Sequence, residues 1–489
     1  MKNLKFKIQD LVKPIGLGLI LSGVIFGQTV EPKPSAPKSV SIPAVKEAKL
    51  KNGLQIAVIE RKSVPLVTVQ LLIKSGAASE DMSKAGLADM TASLLTKGTA
   101  TRSATDIAQQ IEFLGGTINT GAGWNNSVAV VNVMSDKLDK AMEIMSDAVL
   151  NPSFKQDEID LLKSQTLDGL TYNLTQPSFL ANYVAAKYSF NEHPAGGTPA
   201  SISSITREDI VNFHKNYYAP NDAILIFTGN ITSAEAQKIS EKYFGKWISS
   251  ANRKITVGES NGGTIAREKE TVKRILVVDL PNSGQASVTY ATDLEIVSRS
   301  SKDYYPANVL NSVLGGGYSS RLNQEIRIKR GLSYGAGSGF AWRSSSSNFS
   351  TRTQTKNESA AEVAELVIAE INKLSEGAIA DTELGPRKLV LTGGFGRNLE
   401  TTGGLAGALA DLYSFGISSA ELNAYMKSVE AVSDAQIKTF AGTNLKGGDI
   451  IIVGDYAKFK DDLTKRFPAM TVQVVSAANL DISKDNLQK

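Results

Sequence analysis

The sequence predicts an α+β protein made of two similar halves of roughly 220 residues, each an antiparallel-rich sheet packed with helices. Two spacings and one pattern predict it. Gly229-Asn230 and Gly454-Asp455 each close an apolar strand. The helix-ending glycines Gly98 and Gly315 are separated along the chain by nearly the same interval as that pair. Each half mixes antiparallel strands with amphipathic helices in the same order, so one duplication accounts for both spacings.

Residues 1–27 stand apart. Lys2, Lys5, Lys7 and Lys13, against Asp10, precede the apolar run Ile15 to Gly27. That run is too short to span a bilayer comfortably and suits the apolar core of a secretory signal (1–27), with an uncleaved N-terminal anchor as the alternative. Residues 28–45 are Pro-rich and read as an extended linker. Exported, periplasmic or extracellular location follows from this reading, with no stable membrane anchor once the signal is removed.

The first domain is expected over residues 46–248. "NGLQIAVIE" is an Asn-Gly turn leading into a strand, and "PLVTVQLLIKSG" reads as a second strand. In "KAGLADMTASLLTKGT", Leu87, Met90, Leu94 and Leu95 fall at helical spacing, while Asp89, Ala92 and Ser93 form a small, blank opposite face. A second helix near "ATDIAQQIEFLG", strands at "TINTGAG" and "SVAVVNVM", and a long helical region from Ser135 past Asn173 follow. The strand "AILIFTGN" leads into a helix whose start carries Thr232 and Glu235 at capping-box spacing.

Residues 249–270 are polar and serve as the inter-domain linker. The second domain, 271–475, repeats the order. "KRILVVDLP" and "ASVTYATDLE" are strands, "DYYPANVLNSVLGGG" and "SSRLNQEIRIKRG" helices, and "LSYGAGSGF" and "DIIIVGD" strands; residues 476–489 are left as a tail.

Composition removes several chemistries. The chain contains no cysteine, which excludes disulfides and thiol catalysis. The formal charge of +4 sits mostly in the lysine-rich start, and a near-neutral body argues against nucleic acid. His193 and His214 are the only histidines, and neither has a partner at i, i+4, so no H-E-x-x-H zinc site can form. Both read as structural, and no nucleophile elbow accompanies them. "VLGGGYSS" follows a helix and lacks the Gly-Lys-Ser/Thr ending of a phosphate loop. In "IRIKRGLSYGAGSGF", Gly335, Gly337 and Gly339 strip one strand face, which lets another backbone approach. Arg327 and Tyr334 lie close in sequence at the same helix-to-strand corner. Residue type alone leaves two readings for them, packing and surface charge or the holding of a polarised carbonyl oxygen.

"LKNGLQIAVIE", "AGLA…LLTKGT", "EHPAGG", "SITREDIVNFHKNYYAPNDAILIFTGN", "LGGGYSSRLNQEIRIKRGLSYG" and "IIIVGD" occur in an order that resembles the M16 metallopeptidases, the pitrilysin, insulinase and mitochondrial processing peptidase group. The resemblance covers about residues 46–475 and implies the M16/LuxS-like metallohydrolase fold, twice. In active members the frame around "GLA…LTKGT" encloses H-x-x-E-H. Here the first histidine falls on Asp89, the glutamate on Ala92 and the second histidine on Ser93. The further glutamate ligand falls near Asp168 to Leu170, where there is none.

The resemblance therefore implies no metal or cofactor bound by this chain and no zinc peptidase activity by the chain alone. It also implies that Arg327 and Tyr334 keep the R-x6-Y spacing of the pair that contacts substrate in the opposing half of the family's clamshell. The expected function is that of the non-zinc subunit of a heterodimeric peptidase. The zinc would be in an H-x-x-E-H-containing M16 partner, and the substrate would be an extended peptide. A catalytically inert structural or peptide-binding protein is the alternative.

Overall fold

The computed structural model describes residues 42–248 and 272–489. The expected signal, residues 28–41 of the Pro-rich stretch and the linker 249–270 lie outside the described residues. Two six-stranded sheets carry the fold. The first contains β1 (Lys46–Lys49), β2 (Gln55–Glu60), β3 (Leu66–Ile73), β4 (Thr117–Ala122), β5 (Ser127–Met134) and β6 (Ala223–Gly229), in the order β1-β2-β6-β3-β5-β4. The second contains β7 (Val272–Asp279), β8 (Ala286–Leu294), β9 (Ala336–Ala341), β10 (Ser347–Thr355), β11 (Gly448–Gly454) and β12 (Val472–Ser476), in the order β12-β7-β11-β8-β10-β9.

Five strands correspond one to one. β2 and β6 are parallel, as are β7 and β11, and the remaining three pairings of each five are antiparallel. Gly229 and Gly454 end the equivalent strands β6 and β11, which explains why their separation repeats that of Gly98 and Gly315. The sixth strand differs. β1 enters antiparallel to β2, whereas β12 adds parallel to β7 from the far end of the chain.

β6 and β11 are buried along their whole length, which is why "AILIFTG" and "IIIVG" run apolar without alternating. One face of each sheet packs on helices of its own half. The other face is covered by a helix from the opposite half. The helix Thr402–Ser414 lays Leu405, Leu409 and Leu412 against Ile59, Leu72 and Ile226 of the first sheet. The helix Pro177–Tyr188 lays Leu180 and Val184 against Leu276, Ile451 and Val453 of the second. Pro177 and Thr402, where these helices begin, are separated along the chain as Gly229 and Gly454 are. The two helices are therefore equivalent, and the halves exchange one helix each.

Some local expectations change. The helical region after Ser135 is broken into Leu138–Leu150 and Gln156–Asn173 by Pro152 and by Phe154, whose φ is +43°. Residues Asn323–Ile328 wind as wide i→i+5 turns rather than as an ordinary helix. Beyond β12, the stretch expected as a tail contributes Ile482 and Leu487 to the apolar layer under Pro177–Tyr188.

Candidate functional site

The helix Leu87–Leu94 carries the blank face. It begins after Gly86, whose φ of +94° favours glycine and where a Cβ would meet Ile202 Cδ1 at 2.6 Å. Leu87, Met90, Leu94 and Leu95 are buried, as their spacing requires. No Ser, Thr or Asp caps this helix. Instead the Glu80 carboxylate accepts from the N–H groups of Gly86 (2.8 Å, Oε1) and Ala88 (2.7 Å, Oε2).

The Glu80 side chain is fully buried, and that burial pushes its carboxyl up to about 8 despite the two N–H donors. His193 Nδ1 stands 3.6 Å from Glu80 Oε1, and burial lowers the imidazole below its usual range. Nothing in the local sequence singles out Glu80. The missing cap before Leu87 is the signal that could find it.

Asp89, Ala92 and Ser93 share one turn of this helix. Asp89 is open to solvent along one side, yet loss of water pushes its carboxyl up, while a hydrogen bond from the backbone of Ala122 pulls it down. Ala92 is wholly buried and Ser93 half-buried. On the helix Gln156–Asn173, Asp168 faces solvent, Gly169 has no side chain and Leu170 is buried. A zinc site needs at least three protein ligands. One carboxylate engaged by a backbone N–H does not supply them, and among the described residues no three His, Asp or Glu side chains could hold a metal ion. These residues do not fit zinc.

The bonds at Ala122 and elsewhere set the two sheet edges apart. β4 ends the first sheet and β9 the second. Ala336 N–H donates to Asn323 Oδ1 at 3.3 Å and Ser338 N–H to Gly315 O at 3.3 Å, so two outward groups of β9 are capped. Gly315 makes this possible, since a Cβ there would meet Ser338 N at 2.2 Å. The expected close backbone approach therefore occurs at Gly315 and Gly337, while Gly335 and Gly339 face open space. On β4, Ala122 points its N–H outward to Asp89, and by alternation Ile118 and Thr120 point outward as well. Among the described residues nothing caps those two.

The wide turns Asn323–Ile328 place Arg327, whose guanidinium lies 5.2 Å from the centroid of the Tyr318 ring. Tyr334 is 89 % exposed, and its hydroxyl has no hydrogen-bond partner among the described residues. It lines a cavity of about 310 Å³ with Arg352, Ser287 and Thr289, and with Ser178 and Asn182 of the other half. A neighbouring cavity of about 610 Å³ also includes Asn182, with Trp124, Phe179, Tyr183 and Arg343. His193 packs at its wall, 5.0 Å from the Trp124 ring. His214 is buried, with Nε2 2.8 Å from Val149 O and its ring against Phe154 and Tyr218.

Comparison with known proteins locates this arrangement. Residues 55–189 match the family described as insulinase (peptidase family M16), and residues 204–385 match the peptidase M16 inactive domain. Together these matches cover about two thirds of the chain. An uncharacterized zinc protease of Mycobacterium leprae is 29 % identical over 297 residues, 58 % of this chain and 63 % of that protein's length. An uncharacterized zinc protease of Mycobacterium bovis is 26 % identical over 381 residues, 76 % of this chain and 83 % of its own. The fold is similar to a peptidase M16 inactive domain from Pseudomonas fluorescens (TM-score 0.74, 24 % identity, 84 % of this chain and 98 % of that one). It is also similar to the periplasmic protease PqqL of Escherichia coli (TM-score 0.67, 14 % identity, 89 % and 51 %).

Proposed function

This chain belongs to the M16 peptidase family, and from that premise we propose that it is the non-zinc subunit of a heterodimeric M16-type peptidase. A partner subunit carrying H-x-x-E-H would bring the zinc, and this chain would face it with Arg327 and Tyr334. The observation that carries the reading is the contrast between the two halves. Among the described residues, the zinc-motif positions Asp89, Ala92 and Ser93 hold no ligand set, while Tyr334 presents a hydroxyl without a partner at a cavity.

In this role the Tyr334 hydroxyl donates a hydrogen bond to the oxygen that gains charge as the peptide carbonyl is attacked, and Arg327 holds a substrate backbone carbonyl. The peptide binds extended. Its backbone adds to the β4 edge at Ile118 and Thr120, the outward positions left uncapped there, as in β-strand addition. The charged, apolar start of the chain supports export, which would place the complex in the envelope compartment.

The test uses the tagged chain recovered from its host. Peptide cleavage is measured for the chain alone and for its co-purified complex, with wild type and Tyr334→Phe. Cleavage by the complex only, stopped by a zinc chelator and slowed by the tyrosine change, supports the subunit. A chain that brings no partner and never cleaves sinks it, and leaves an inert structural or peptide-binding protein.

A further inference from the structure

We propose that the cavity beside Tyr334 is a carboxylate-receiving subsite centred on Arg352, so that bound peptides are selected and set in register by a negative charge. The charged group comes from the peptide's own C-terminus or from an Asp or Glu side chain. The proposal rests on the peptide-binding part of the function above and gives it a substrate class.

Arg352 lies on β10, and its direct cross-strand neighbour on β9 is Gly337. No side chain at that position covers the guanidinium. A Cβ built on the flanking Gly335 or Gly339 would meet nothing within 4 Å, and one on Gly337 itself would meet only the Gly315 carbonyl oxygen at 3.2 Å. The glycine run therefore does more than admit the Gly315 backbone. It clears the ground in front of one cation.

The rest of the lining is neutral and rich in hydrogen-bonding groups. Ser178 and Asn182 approach from the first half, Ser287 and Thr289 from β8, and Tyr334 from the loop before β9. Among the described residues, no carboxylate lines the cavity. Arg352 is exposed and, among the described residues, makes no ion pair or hydrogen bond. Arg343 differs on this point. It faces the adjoining cavity, and Glu192 neutralises it.

A planar guanidinium offers paired N–H donors that match the two oxygens of a carboxylate, and the surrounding hydroxyls and amides can serve its remaining lone pairs. An uncompensated positive charge in a concave site also attracts anions from a distance. Because Tyr334 borders the same cavity, a carboxylate held by Arg352 fixes how far the chain extends past the tyrosine.

The experiment measures binding of fluorescent peptides to the full chain, without any partner. Three peptides share one uncharged sequence: one with a free C-terminus, one amidated, and one amidated with a single internal Glu. Wild type is expected to prefer at least one carboxylate peptide by about tenfold or more over the neutral amide. The preferred peptide identifies the source of the carboxylate. The preference should shrink at about 0.5 M salt, where charges are screened within a few ångströms. Arg352→Gln should bring the ratio near one at an unchanged melting temperature, and Arg352→Lys should retain part of it.

Equal affinities, a preference that survives Arg352→Gln, or no binding of any peptide would overturn the proposal. Binding that discriminates as expected in a chain that never joins a cleaving complex keeps this subsite and discards the subunit.

Discussion

Glu192 and Arg343 bridge the two halves through both carboxylate oxygens: Arg343 Nη2 lies 3.0 Å from Oε2 and Nε 3.2 Å from Oε1. Asn348 Nδ2 adds a third donor at 3.0 Å from Oε2. The guanidinium also lies 4.6 Å from the Trp124 ring, which in turn packs on His193. "EHPAGG" is thus a joint. Its Glu reaches the second half and its His reaches Glu80, which caps the helix Leu87–Leu94.

The joint makes a stability prediction. Glu192→Gln keeps the shape and leaves the largely buried guanidinium without its counter-charge. The expected loss is about 2–3 kcal/mol, below the cost for a fully buried pair because both groups keep some solvent screening. Denaturant unfolding of Glu192→Gln, Arg343→Met and the double variant measures it. Additive losses would show that the pair is not coupled.

Glu80 makes a prediction in pH. Its folded pKa of about 8 lies above the ordinary value of 4.5, so its contribution is fully present below pH 4.5 and is lost as pH rises through about 8. Glu80→Gln removes the titrating proton and keeps one carbonyl acceptor, so one of the two helix N–H groups, Gly86 or Ala88, loses its partner at every pH. The stability of the variant relative to wild type should rise between pH 5 and pH 8 by on the order of a few kcal/mol, on top of a pH-independent loss for the missing acceptor. His193 acts in the opposite sense, because its lowered pKa costs stability as pH falls below its ordinary value. Both proteins keep that acid-side loss, so it cancels in the comparison. Parallel stability curves for the two would refute the buried, protonated Glu80.

Tyr334→Phe separates chemistry from folding. The residue is 89 % exposed and its hydroxyl has no partner among the described residues, so stability should change by less than about 0.5 kcal/mol. If Tyr334 is the oxyanion donor proposed above, cleavage by the proposed complex should fall about 10²- to 10³-fold. Unchanged cleavage would remove the tyrosine from the reaction.

What the sequence reveals and conceals follows from range. The duplication is legible because Gly229 and Gly454 terminate equivalent strands, and a buried central strand writes itself as an apolar run. The helix of Asp89, Ala92 and Ser93 is legible because Leu87, Met90, Leu94 and Leu95 fall at helical spacing and are buried. Glu80 is not, since a loop carboxylate gives no local sign of being buried. The capping of β9 by Asn323 and Gly315 depends on an unexpected stretch of wide turns. The helix exchange is hidden for the same reason. Periodicity tells which face of Pro177–Tyr188 is apolar, and not which sheet receives it.

That exchange predicts how the molecule comes apart. Alone, the first half would expose Ile59, Leu72 and Ile226 on its sheet and Leu180 and Val184 on its lent helix. The second half would expose Leu276, Ile451 and Val453, with Leu405, Leu409 and Leu412. Each fully buried aliphatic side chain is worth about 1.5–3 kcal/mol, so neither half keeps a margin of stability once its covering helix is gone. A chain cut by an inserted protease site within residues 249–270 should still elute as one particle and melt in a single transition, because the halves remain interlocked. Either half expressed alone should be insoluble or unfolded. Leu180→Ala and Leu409→Ala, in equivalent exchanged helices, should each cost about 2–5 kcal/mol and lower that single transition as a whole. Two separate transitions in the cut chain would mean that the halves fold independently, and that the exchanged helices are merely docked.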